Sequence, residues 1–419
     1  MDLELVTIGT ELLLGHTIDT NAAYLANALA AVGAHVVRKT SVPDTPATIR
    51  DVIADGLARS GFVVTTGGLG PTRDDVTKHA VAALFGRPLI TDETYLASLE
   101  ARWERLGRGG PMPEANRTQA QRPEGAVVLP NPRGTAPGLW VEGAAGIVVL
   151  LPGVPHEMRA LTDRELVPRL VARTGGTRVT RSRVLRTTGV PESRLADRVG
   201  PMEAQLTPVT VAYLPSFDGV DLRLTAWDVP ATDADAALDR GAVALQDLLG
   251  SSVYGEGETD LAAVVLDLAR AAGVRIAVAE SCTGGLVAGR LTAVPGASDV
   301  FAGGVIAYDN AVKTRDLGVA ASILATVGAV SEETVRAMVA GVRARFGVET
   351  AVAVSGVAGP DGGTADKPVG TVWLCAACGE RVLAVQLGLP GDRNEIRTRA
   401  AQAALDLVRR VLRGPEGVG

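Results

Sequence analysis

Val274-Arg275-Ile276-Ala277-Val278-Ala279-Glu280-Ser281-Cys282-Thr283-Gly284-Gly285 decides how the second half of this chain folds. Val274 to Ala279 has the short apolar character of a buried parallel strand, and Leu286 to Leu291 continues with helix formers. The stretch therefore predicts a strand, a tight turn and a glycine-started helix, with Ser281 at the strand's carboxyl end. In a doubly wound sheet ligands bind at that edge, where the first amides of the next helix lack intrahelical partners. Amides so placed can hold a phosphate or an oxyanion.

A serine hydroxyl is a weak nucleophile near neutrality and needs a base. Tyr308 and Lys313 follow the apolar run Gly304 to Ala307, the next strand, and so fall at or beyond its carboxyl end. A lysine serves as base once burial has lowered its pKa. No histidine follows His156, so a Ser-His-Asp triad within this half is excluded and a Ser-Lys arrangement is the economical alternative. The plainer reading makes Ser281 a helix N-cap and Lys313 a solvated surface lysine, and on these residues alone it is favoured. Cys282 is a second candidate nucleophile, although its small apolar neighbours favour a buried structural thiol.

Two further segments bear on the choice. Ala351 to Val354 reads as a strand entering Ser355-Gly356-Val357-Ala358-Gly359-Pro360-Asp361-Gly362-Gly363, a glycine-dense loop able to bring amides close to a ligand. Asp392 and Glu395 are spaced as a capping pair opening the last helix, with Arg393 and Arg397 one turn apart. Those arginines fit either a phosphate clamp or a solvated helix face.

In order and spacing, the Ser281 turn, Tyr308 to Lys313, the Ser355 to Gly363 loop, Lys367 to Thr371 and Pro390 to Arg393 resemble the nicotinamide-nucleotide amidase domain of the CinA family, over about residues 258–413. The resemblance implies hydrolysis of the nicotinamide mononucleotide carboxamide to nicotinate mononucleotide and ammonia, with no cofactor. It implies Ser281 as nucleophile, activated by Lys313 and Tyr308. Thr283, Gly284 and Gly285 would meet the substrate at the turn, the first two as oxyanion donors. Ser355, Gly356, Gly359, Arg393 and Arg397 would meet the ribose phosphate.

In the first third, strands alternate with helices: Leu3 to Ile8, a helix Thr20 to Ala31, a helix Pro46 to Arg59 capped by Thr45 and closed by Gly61, and a strand Phe62 to Thr66. Such βαβα alternation predicts a mainly parallel or mixed sheet covered on both faces. Gly67-Gly68-Leu69-Gly70-Pro71-Thr72-Arg73-Asp74-Asp75 then joins strand to helix, where Gly67, Gly68 and Gly70 suit phosphate. Asp74 and Asp75, with Glu11 of the Gly9-Thr10-Glu11 turn, suit a divalent metal, Mg²⁺ or similar. The aspartates equally suit a helix N-terminus, and the two readings are about even. These motifs, with Asp19-Thr20-Asn21, Gly134 to Gly138 and Leu151 to Pro155, resemble the MoaB/MogA-like molybdopterin-binding domain at the front of CinA proteins, over residues 1–168. That resemblance implies a metal-dependent ADP-ribose pyrophosphatase, with molybdopterin binding as the rival.

Between them, residues 176–252 predict a small α+β unit: a strand Arg178 to Thr187, a helix Glu192 to Val199, a hairpin of Val209 to Leu214 with Val220 to Trp227, and a helix Thr232 to Leu249. It resembles the KH-like middle domain of the family but lacks a clear Gly-x-x-Gly clamp. The expected fold is thus two doubly wound α/β domains flanking this small domain. Gly175-Gly176 and Gly255 to Thr259 are the expected joints.

Composition sets the outer bounds. The chain has 419 residues and a formal net charge of -6, which disfavours general nucleic-acid binding and leaves phosphorylated small molecules as partners. A DNA-uptake-associated binding protein is the competing class. Three cysteines are too few for a disulfide framework, and Cys375-Ala376-Ala377-Cys378, without a second pair, favours buried thiols over a zinc or redox site. The acidic amino terminus has no signal-peptide layout and no apolar stretch is long enough for a bilayer, so no membrane partner and cytoplasmic residence are expected. A homodimer is implied by the resemblance alone.

Overall fold

The computed structural model describes residues 1–105 and 110–414. Its contacts divide into two compact units, residues 1–181 with 226–235, and residues 182–225 with those from 236 onward. In the first, β1 (Asp2–Ile8), β2 (His35–Val42) and β3 (Phe62–Thr66) alternate with helices Thr20–Ala30 and Pro46–Ser60. The helix Pro46–Ser60 begins with Pro at its first turn and ends at Gly61, whose φ of 70° stops it. A short side ladder pairs β4 (Leu89–Thr91) with β5 (Gln121–Pro123). β6 (Val127–Leu129), β7 (Gly138–Gly143) and β8 (Gly146–Leu151) complete a mixed sheet in the order β2-β1-β3-β8-β7-β6.

Strand periodicity explains why both faces are covered. Phe62 and Val64 of β3, with Ile147, Val149 and Leu151 of β8, enter one apolar cluster, while Val63, Val148 and Leu150 enter the other. Residues of period two thus serve opposite faces, and neither face is left to water. Glu4 of β1 is the exception: it is buried, and Arg59 donates to both of its carboxylate oxygens at 2.7 and 2.8 Å.

A four-stranded sheet follows in sequence, built from β9 (Arg178–Thr187), β10 (Val209–Pro215), β11 (Val220–Pro230) and β12 (Val253–Glu256) in the order β10-β11-β9-β12. Residues 255–259 run from the end of β12 toward the helix Leu261–Ala272. β12 pairs antiparallel with β9, and both flanks of this segment lie in one compact unit.

The last sheet holds β13 (Ile276–Glu280), β14 (Phe301–Ile306), β15 (Thr350–Gly356), β16 (Thr371–Cys378) and β17 (Arg381–Gly388), in the order β14-β13-β15-β16-β17. β13 runs parallel to β14 and β15, so their three carboxyl ends meet at one edge; β16 runs antiparallel to both of its neighbours, β15 and β17. One face carries Val278, Val352, Val354 and Leu374 into a core with helices Leu261–Ala272 and Arg393–Arg413. The other presents Ala277, Ala279, Ala351 and Ala353 to the helix Glu332–Phe346, where small side chains let the helix approach closely. Among the described residues, no helix is long and apolar enough to cross a membrane.

Candidate active site

The end of β13 delivers Ser281, as its apolar run predicts. Register fixes the neighbours: Glu280 pairs with Ile306 of β14 and Val354 of β15, and the amide of Ser281 donates to the carbonyl of Val354 at 2.9 Å. Ala307 then donates its amide to the Glu280 carbonyl at 2.7 Å, which holds the chain beyond β14 against the Ser281 turn. Asp309 caps the helix Asn310–Leu317 by accepting from the amide of Ala311, and Lys313 lies one turn in.

Lys313 is not a surface lysine. It is 1 % exposed and Ser281 is 8 % exposed. Its Nζ donates to the carbonyls of Ala307 at 2.8 Å and Tyr308 at 3.1 Å, and lies 3.1 Å from Ser281 Oγ. An ammonium uses all three N–H groups in this arrangement. A neutral amine would give one N–H to each carbonyl and leave its lone pair facing the Ser281 hydroxyl. Burial pushes the lysine's pKa below its usual 10.5, with Asp309 and Cys282 opposing from nearby.

Nor is Ser281 a helix cap. The helix Leu286–Thr292 starts later, with Gly285 at the N-cap and a φ of 100° that side-chain-bearing residues rarely adopt. The capping carboxylate belongs to Glu280, which is 1 % exposed and accepts from the amides of Gly285 (2.9 Å), Val287 (3.2 Å) and Ala288 (2.8 Å). This corrects the expectation that the helix N-terminus is free for an anion, because a carboxylate of the protein already occupies it. Glu280 had no role assigned from sequence. A lone acid ending an apolar strand, five to eight residues before helix amides, was the available signal.

Of the two amides expected as oxyanion donors, that of Gly284 is already committed. The amide of Gly284 donates to the Ser281 carbonyl at 3.1 Å and that of Gly285 to Glu280, so neither faces a ligand. Thr283 is fully buried, and its hydroxyl has no partner. Cys282 is buried too, and desolvation pushes its thiol up to about 11, which disfavours the thiolate near neutrality.

Tyr308 meets the pair only through its carbonyl. Its side chain is 59 % exposed, and its hydroxyl accepts from Arg393 Nη2 at 2.7 Å rather than touching Ser281. Arg393 Nη1 donates to the carbonyl of Gly359 at 2.5 Å. Arg397 donates to the carbonyls of Cys282 (3.1 Å, from Nε) and Thr283 (2.9 Å, from Nη2). Both arginines therefore border the site, but each has part of its fork committed to protein carbonyls. They brace the Ser281 turn and the glycine loop. Asp392 and Glu395 form the capping box that starts their helix.

Ser355 and Gly356 are the last residues of β15, and Ser355 Oγ donates to the carbonyl of Ala329 at 2.6 Å, away from Ser281. Gly359 lies against Val369, close enough that a Cβ there would press on its methyl groups. The loop is latched by amide-to-carbonyl bonds from Val357 to Thr371 and from Gly370 to Val357. Cys375 and Cys378 sit three apart on β16, so their side chains leave opposite faces of the sheet: one enters the alanine-rich core and the other borders the opposite core. They cannot share a metal or a disulfide.

In the first unit Gly67, Gly68 and Gly70 follow β3 as expected. A Cβ on Gly67 would collide with the carbonyl of Ile8, so packing alone accounts for that glycine. Asp75 turns back into its own loop, where its carboxylate accepts from the amide and hydroxyl of Thr72 at 2.8 and 2.5 Å. Glu11 folds over Gly9, and Asp74 is exposed. Among the described residues, no three His, Cys, Asp or Glu come together as a set able to hold a metal ion. Glu11, Asp74 and Asp75 are therefore not a preformed metal centre. One feature beside this loop was not anticipated: Lys78 is buried, donates to the Thr118 carbonyl, and is pushed down to about 8 by desolvation.

Comparison with known proteins bears on all three parts of the chain. Residues 258–412 match the family described as CinA C-terminal domain, residues 182–255 the damage-inducible protein CinA KH domain, and residues 4–172 the "Probable molybdopterin binding domain". A CinA-like protein of Gemmatimonas aurantiaca is 51 % identical over 427 residues, covering 100 % of this chain and 99 % of the relative. A CinA-like protein of Gloeobacter violaceus is 43 % identical over 419 residues, covering 99 % of this chain and 98 % of the relative. The crystal structure of competence/damage inducible protein CihA from Agrobacterium tumefaciens is 39 % identical, with a TM-score of 0.36, over 36 % of this chain and 93 % of that one.

Proposed function

The chain belongs to the CinA family, and from that premise we propose that its carboxy-terminal part is an amidase converting nicotinamide mononucleotide to nicotinate mononucleotide and ammonia. The observation that carries the reaction type is the buried 3.1 Å contact between Lys313 Nζ and Ser281 Oγ. The choice of substrate rests on the resemblance of the motifs.

Neutral Lys313 accepts the Ser281 hydroxyl proton as Oγ bonds to the carboxamide carbon. The tetrahedral intermediate then collapses, the C–N bond breaks, and the proton on Lys313 leaves with the amine as ammonia. Water attacks the acyl-serine, Lys313 takes the water proton, and that proton returns to Ser281 as nicotinate mononucleotide departs. The carbonyls of Ala307 and Tyr308 hold Nζ in place throughout. Arg393 and Arg397 supply the positive edge for the ribose phosphate with the N–H groups they do not already commit. Rapid-quench mass spectrometry of the chain mixed with nicotinamide mononucleotide tests this reading. A transient acyl adduct on the peptide bearing Ser281 is expected; turnover with an adduct elsewhere would refute it.

For the first unit the coarser reading is a phosphorylated ligand, pterin or nucleotide, at the carboxyl ends of β1 and β3. Hydrolysis of ADP-ribose is the finer proposal, and a divalent cation for it would have to arrive with the diphosphate, since the nearby carboxylates do not converge. Copurifying pterin fluorescence would favour the molybdopterin rival. A homodimer is likewise proposed, and sedimentation tests it.

A further inference from the structure

The unit that contains Ser281 also carries a cleft whose lining does not include the Ser281 turn. It is a cleft of about 530 Å³ between the turn after β10 and the helix Arg393–Arg413, floored by β16 and β17. Val385 and Leu387 of β17, Ala403 and Leu407 of the helix, and Phe217 of the turn give it apolar walls. Its volume lies within the roughly few-hundred to one-thousand Å³ range of small-ligand pockets, and its apolar walls hold ordered water poorly.

Charge bookkeeping around the cleft is uneven. Asp406 lines it but accepts from Arg409 at 3.0 and 2.6 Å, and Asp218 is paired with Arg290 at 3.4 Å. Gln402 is also committed: it accepts from Arg290 at 2.5 Å and donates to Thr188 at 3.2 Å. Glu192, the remaining acid of the lining, is solvent-exposed. Arg399 and Arg410 line the same cleft, and among the described residues no carboxylate is paired with either. Arg399 stacks its guanidinium 5.4 Å over the Phe217 ring, while its Nε is buried with no hydrogen-bond partner. A buried, unanswered guanidinium N–H is costly, and an anion supplied from outside removes that cost. Positions two apart on a helix do not share a face, so Arg397 braces the Ser281 turn while Arg399 serves the cleft.

We propose that this cleft binds a small amphipathic anion, an aromatic or alicyclic body bearing one carboxylate, with the ring against Phe217, Leu387 and Leu407 and the carboxylate on Arg399 and Arg410. The site is separate from Ser281 and does not depend on the amidase reading.

The test uses the full chain and the fluorescent probe anilinonaphthalenesulfonate, displaced by naphthoate, neutral naphthalenemethanol or cationic naphthylmethylammonium. Saturable binding is expected, with naphthoate displacing the probe at least about tenfold more effectively than the neutral analogue. Arg399→Gln together with Arg410→Gln should erase that preference while leaving the fold intact by circular dichroism. Ala403→Trp should fill the cleft and abolish probe binding. Equal displacement by all three competitors would overturn the proposal, as would no saturable binding to the folded wild type. Undiminished binding to a folded Ala403→Trp chain would place the probe elsewhere and overturn it too. Should Ala403→Trp fail to fold, the arginine pair decides: a retained anion preference refutes the site.

Discussion

Lys313 Nζ lies 3.1 Å from Ser281 Oγ; Ser281 follows β13 and Lys313 sits in the helix that follows β14, and the parallel register of the two strands brings them together. The lysine's other two contacts are backbone carbonyls, of Ala307 and Tyr308. Substituting Tyr308 by Phe therefore leaves the lysine's cradle unchanged and removes only the hydroxyl contact with Arg393. Tyr308→Phe should alter KM more than kcat; an equal collapse of kcat would give the hydroxyl a direct part in the chemistry.

The depressed Lys313 pKa fixes the direction of two pH effects. Activity should rise with pH as the neutral amine fraction grows, with a midpoint below the usual 10.5. Stability should move the same way. Between the folded-state pKa and 10.5 the unfolded chain binds more protons at this site, so the folded state gains as pH rises through that window. Urea titrations of wild type and Lys313→Met across that window should show wild type gaining relative to the variant. A constant difference would mean the lysine titrates normally.

Glu280 answers three amides at the start of the helix Leu286–Thr292. Glu280→Gln turns one acceptor oxygen into a donor facing N–H groups, and the loss should be about 3 kcal/mol or more, since bonds to a charged group are worth ~1.5–3 kcal/mol each. Chemical denaturation measures this. A loss under about 1 kcal/mol would show that the amides find other partners.

Gly285 should tolerate less than Gly284. Gly284 sits at φ 62°, where Asn is accommodated and a Cβ would meet only the end of the Arg397 side chain at 3.3 Å, whereas Gly285 sits at 100° with Ile306 Cδ1 3.2 Å from where a Cβ would be. Gly284→Asn is expected to cost about 1 kcal/mol and Gly285→Ala more. Thermal melts of the two variants compare them, and the reverse order would contradict the assigned turn.

Thiol labelling separates the cysteines. Cys282 and Cys375 are buried and pushed up to about 11, while Cys378 is only partly buried. One thiol should react slowly in the native chain and three after unfolding, and Cys282→Ala should keep its amidase rate. Rapid native labelling at Cys282 would reopen it as a nucleophile.

Much of the fold could be read from local sequence because local physics decides it. The apolar run at β13, the Pro46 start and Gly61 stop of one helix, and the Asp392–Glu395 box of another each depend on residues a few positions apart. What escaped depends on distant partners. Glu4 lies in the acidic amino terminus, yet Arg59, fifty-five positions away, holds its buried carboxylate by two hydrogen bonds. Lys313 alone is indistinguishable from a solvated lysine until β14 brings it to Ser281. The glycine turn after β3 invited a metal, but the Thr72 contacts fold Asp75 inward, which no spacing pattern foretells. The Ser281 helix looked ready for an anion because an internal carboxylate cap leaves no mark in helix periodicity.

The most direct measurement is ammonia release from nicotinamide mononucleotide by the purified chain, wild type beside Ser281→Ala and Lys313→Ala. The account predicts steady release by wild type, and loss by about a hundredfold or more in each variant while circular dichroism stays unchanged. Release that survives Ser281→Ala, or no release from folded wild type, would contradict it.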